Sequence, residues 1–123
     1  MVLAVDRELG VVRRVVDAAF RAWSRAGITM VETPLAALTG VAGDATALVA
    51  AEHGVVECIT DGDYGPVAAA ARRLSGEGWR VVVLVPAADM GEAHRVLRGV
   101  PARIQPWWSG ADETVLFGVP EVP

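Results

Sequence analysis

Short β-branched apolar runs alternate along this chain with segments whose apolar residues recur at helical spacing, and no single residue constrains the fold as much as that alternation. The clearest run is Trp79 to Val85, and Met1 to Val5, Ile28 to Val31, Val55 to Thr60, Ala102 to Gln105 and Thr114 to Val119 read as further strands. Between them, Glu8 to Arg25 places Val11, Val12, Val15, Val16, Ala19, Phe20 and Trp23 on one helical face, with Gly27 as a stop. Asp44 to Glu52, Pro66 to Leu74 and Ala88 to Leu97 read as further helices, and Pro34 to Val41 as a short helix or a loop. Strands alternating with helices predict an α/β fold: a three-layer αβα arrangement with a mostly parallel central sheet of about five strands and right-handed crossovers. A chain of 123 residues supports one hydrophobic core, so residues 1–123 are expected to form a single domain.

Composition narrows the chemistry. Hydrophobic residues make up 53% of the chain and charged ones 21%, which argues for a folded domain. No apolar run reaches the roughly 20 residues of a membrane-spanning helix. Met1 to Val5 is followed by Asp6 and has no basic segment before it, unlike a secretory signal, so a cytoplasmic location is expected. The net charge of −4 provides no global basic field for nucleic acid. All eleven basic residues are arginine, which removes lysine Schiff-base chemistry and the lysine of a phosphate-binding loop. The single Cys58, inside an apolar strand pattern, reads as a small buried hydrophobe.

The acids fall at the ends of predicted elements: Asp6 after the first strand, Glu32 after the second, Asp44 at a helix start, and Asp61 with Asp63 after the third strand. In a parallel sheet ligands sit at the carboxyl ends of the strands, so these carboxylates are expected to converge on one edge. Clustered carboxylates repel one another unless they share a cation, and oxygen ligands favour Mg²⁺ or Mn²⁺. Taken one at a time, the same acids are also ordinary helix caps and turn residues.

The segment Gly43-Asp44-Ala45-Thr46 through Gly54, the strand Val55 to Thr60, and the turn Asp61-Gly62-Asp63-Tyr64 resemble the second half of PIN-like and NYN-type ribonuclease domains. The alanine-rich stretch Pro66 to Leu74 and the strand from Arg80 to Val85 continue the likeness. The resemblance implies a metal-dependent ribonuclease with Asp44, Asp61 and Asp63 holding or positioning Mg²⁺ or Mn²⁺. Thr60 would orient a carboxylate or bound water, and Asp6 would match the family's opening aspartate. Arg7-Glu8-Leu9 stands where the family usually has an asparagine or a small hydroxyl residue. The implied reaction is hydrolysis of an RNA phosphodiester by metal-activated water, with Arg7, Arg72, Arg73 and Arg80 able to steer the phosphate backbone.

The alternative is a noncatalytic α/β binding or scaffolding module, receiver-like or Toprim-like in layout, that self-associates. Trp107 and Trp108 cannot both face one side of a strand, and an exposed tryptophan suggests a partner surface, a homodimer or base stacking. His53 and His94 have no second ligand at zinc spacing and read as helix-end residues.

Overall fold

The computed structural model describes the backbone of residues 2–123 and the side chains of residues 10–123. It opens with helix α1, Val2–Arg25, ended by a turn in which Gly27 takes a left-handed φ of 77°. Strand β1, Val31–Pro34, leads into the short helix α2, Leu35–Thr39. Strands β2, Thr46–Ala50, and β3, Val55–Ile59, follow, joined through a 3₁₀ turn at Ala51–His53. Helix α3, Tyr64–Gly76, strand β4, Arg80–Pro86, and helix α4, Met90–Val96, come next, and strands β5, Arg103–Ser109, and β6, Val115–Phe117, complete the order.

The six strands form one sheet in the order β1-β2-β3-β4-β5-β6. Only the pairs β3–β4 and β4–β5 are parallel; β1–β2, β2–β3 and β5–β6 are antiparallel. The expected mostly parallel sheet of about five strands is therefore corrected to a mixed, mostly antiparallel sheet of six. Two segments cause the difference. Asp44 to Glu52, expected as a helix, contributes β2 and a tight turn, so β1, β2 and β3 follow one another as a meander with no crossover helix. Met1 to Val5, expected as the first strand, lies within α1 from Val2 onward, while Met1 is outside the described residues.

Tertiary burial explains why β2 is extended despite its alanines. Ala47 and Val49 point to one side of the sheet and Leu48 and Ala50 to the other, and both sides are covered. Four successive apolar residues shared between two covered faces suit an inner strand, whereas a helix of that length has little stability of its own. Gly54, with φ of 66°, lets the chain reverse directly into β3.

The two faces are covered unequally. On one side α2, α3 and α4 pack over Ala47, Val56, Cys58, Val81, Val83, Val85 and Ile104. On the other, α1 alone covers Leu48, Ala50, Val55, Ile59 and Leu84 through Val15, Val16 and Ala19. A helix is about 10 Å across with its side chains and neighbouring strands are about 4.8 Å apart, so one helix spans roughly two strands. Part of the α1 face of a six-stranded sheet is left open.

Candidate ligand cleft

The opening on the α1 face lies around Glu57, at the centre of β3. The sequence Val55-Val56-Glu57-Cys58-Ile59 places one acid in an otherwise apolar strand, and alternation puts Glu57 on the same face as Val55 and Ile59, toward α1. Its residue exposure is only 6%. The indole Nε1–H of Trp23, from the last turns of α1, donates to Glu57 Oε1 at 2.8 Å. The other carboxylate oxygen accepts no hydrogen bond among the described residues and is not sealed from solvent. Burial raises the Glu57 carboxyl above the ordinary glutamate range, and the Trp23 hydrogen bond opposes that rise.

Two clefts meet at this carboxyl. One, of about 340 Å³, is lined by Ala19, Ala22, Trp23, Glu57, Gln105 and Phe117. The other, of about 520 Å³, shares Trp23, Glu57 and Gln105 and extends past the amino ends of β4 and β5. Its walls include Trp79, Pro101, Pro120 and Val122, and its polar lining includes Ser75, Arg80 and Arg103. Gln105 donates Nε2 to the carbonyl of Gly118 at 2.9 Å, which orients its amide oxygen. The wall formed by Pro120 and Val122 is held in place by Glu121, whose backbone pairs with Ile104 in both directions and whose carboxylate meets His94 Nε2 at 3.1 Å.

The acids singled out in the sequence lie elsewhere. The start of β2 and the end of β3 adjoin, because Thr46 pairs with Ile59, so Asp44, Thr60, Asp61 and Asp63 do fall at one end of the sheet. Asp44 opens no helix; it is exposed in the turn before β2, which corrects its expected place. Asp61 is exposed, and Asp63 occupies the N-cap position of α3 without a side-chain capping bond. Buried Thr60 reaches Asp61 Oδ1 at 3.5 Å, the outer limit of a hydrogen bond. Tyr64 turns inward, and its hydroxyl donates to Asp89 Oδ2 at 3.1 Å. Among the described residues no group of three or more His, Cys, Asp or Glu is placed to hold a metal ion. Asp6 lies in α1, not at a strand end, and its side chain is outside the described residues.

Glu32 is engaged by Arg13 of α1 at 2.7 and 2.8 Å, an ion pair that clasps the helix to the β1 edge and lowers the Glu32 carboxyl through that hydrogen bond. Cys58 faces the α3 side, fully buried, and burial, reinforced by the Glu57 charge, pushes its thiol up to about 12. It is the buried hydrophobe expected from sequence. His53 stands exposed in the β2–β3 turn.

The tryptophan pair divides as alternation requires. Trp107 is partly buried on the α1 face with its Nε1–H lacking a partner among the described residues. Trp108 is 42% exposed on the opposite face, across from Leu116, itself 44% exposed. No helix among the described residues is long and apolar enough to cross a membrane. Comparison of the chain with protein-family models, curated proteins and solved structures returns no significant match to any of them.

Proposed function

We propose that the chain is a binding domain whose small-molecule ligand enters the paired cleft at Glu57. One observation carries this reading: a buried carboxyl stands where two clefts meet, with one of its oxygens left for an outside partner. A buried ionisable group costs stability unless it is fully hydrogen-bonded, so a ligand that completes its bonding gives Glu57 a use that packing alone does not. Tryptophan and proline walls with a few converging polar groups are the usual make-up of a small-molecule site.

The test is a fragment screen by ligand-observed NMR on the wild type and on Val82→Phe, which fills the cleft from its floor. Ala102→Phe, at the cleft margin, serves if the first variant loses its fold. Fragments that bind the wild type are expected to lose binding to the filled variant. Fragments that bind both proteins alike, or no binding at all, would overturn the reading.

A second reading, metal-dependent RNA hydrolysis at Asp44, Asp61 and Asp63, is favoured by one observation, the shared sheet end at which these acids lie. Titration with Mn²⁺ followed by calorimetry tests it. Binding that disappears in Asp61→Asn would support it; no binding, or equal binding by both proteins, would reject it.

A further inference from the structure

Resting on the binding-domain reading, the lining of the larger cleft defines what its ligand must present. Arg80 on β4 and Arg103 on β5 lie on the same sheet face as Glu57, since Val55 pairs with Arg80, Glu57 with Val82, and Val82 with Arg103. Both line the larger cleft, and neither forms a salt bridge among the described residues. Two arginines facing one cleft form a local cationic end in a chain of net charge −4.

Two other polar groups of the cleft offer acceptors. Glu57 offers an oxygen without a partner among the described residues, and Gln105, two residues along β5 from Arg103, has its amide nitrogen tied to Gly118, leaving its amide oxygen to accept. The cleft walls include the rings of Trp23, Trp79 and Pro120, which suit a flat apolar body. Glu57 and Arg103 lie two strand spacings apart, about 10 Å, which suits a ring with a charged tail better than a small ion. One carboxylate is satisfied by a single bidentate arginine, whereas a terminal phosphate carries charge and oxygens enough to engage two.

We propose that the cleft takes a phosphorylated planar heterocycle of the nucleoside monophosphate type, its ring edge donating N–H groups to Glu57 and its phosphate held by Arg80 and Arg103. Guanosine 5′-monophosphate is the probe, because its base carries adjacent ring and exocyclic N–H donors, and guanosine is its uncharged counterpart. Isothermal titration of the full chain with each is expected to give a Kd at least tenfold lower for the monophosphate. The double substitution Arg80→Ala with Arg103→Ala is expected to abolish that difference, while Glu57→Gln weakens both probes by a similar factor. Equal binding of the two probes, or an unchanged preference in the double variant, would overturn the phosphate assignment. If fragments occupy the cleft but neither probe binds, the ligand class is wrong and the binding reading stands. If fragments also fail, both fall together.

Discussion

At the residue scale the molecule turns on Glu57. Its carboxyl is raised by burial, so the folded protein holds this proton more tightly than the unfolded chain does. Stability then falls as pH rises from the ordinary glutamate value of 4.5 through the raised value, and levels off above it. Glu57→Gln keeps an oxygen for the Trp23 indole and removes the ionisation. Its melting temperature is expected to gain on the wild type as pH rises from 4.5 to 7, measured by circular dichroism at several pH values; a gap that stays constant or narrows would count against the assigned cause. Trp23→Phe leaves Oε1 without its donor, a loss of about 1–3 kcal/mol in urea unfolding. Glu57 is legible in the sequence as the lone acid of Val55 to Ile59, but Asp61 and Asp63 carry the stronger sequence signal because a turn acid matches a motif and a strand acid does not. Which face a strand residue takes, and whether that face is fully covered, is a tertiary fact that the strand pattern alone does not contain.

At the scale of elements, most runs were legible. The helices at Glu8 to Arg25 and Pro66 to Leu74 and the strands at Val55 and Trp79 all appear, because each has a strong period and a glycine close to its end. Ala45 to Ala50 did not yield to the same reading. Alanine favours helix, and the segment became a strand only because β1 and β3 flank it and both faces are buried. The C-terminal segment is another element whose role depends on contact. After β6, Gly118 donates its amide to the Pro106 carbonyl and accepts from Gln105, and a Cβ added there would lie 2.8 Å from Pro106 Cγ and 3.2 Å from Trp108 Cζ3. Gly118→Ala is expected to displace the Pro120–Val122 wall and to destabilise by about 1–3 kcal/mol in urea unfolding. Wild-type stability in that variant would show that the wall is not packed as described.

Across the whole molecule, the sheet topology decides where a site can form. Three helices cover one face and one helix covers the other, so open surface remains beside α1, toward the amino ends of β4 and β5. The sequence pointed to the carboxyl ends because alternating elements imply a parallel sheet, and in such sheets ligands gather there. Once β1, β2 and β3 form an antiparallel meander, that rule no longer governs the placement. The composition still carried information at this scale: an all-arginine basic set supplies Arg80 and Arg103, whose forked guanidiniums suit an oxyanion.

The four tryptophans report on the central claim directly, since Trp23 and Trp79 line the larger cleft whereas Trp108 lies on the opposite face of the sheet. A ¹H–¹⁵N correlation spectrum recorded while titrating the tightest-binding fragment from the screen resolves their indole N–H signals. The Trp23 and Trp79 signals are predicted to shift together and saturably in the wild type and to stay fixed in Val82→Phe, with Trp108 unmoved in both. Saturable shifts of Trp108 alone, or identical shifts of Trp23 in the wild type and the filled variant, would contradict a ligand site at Glu57.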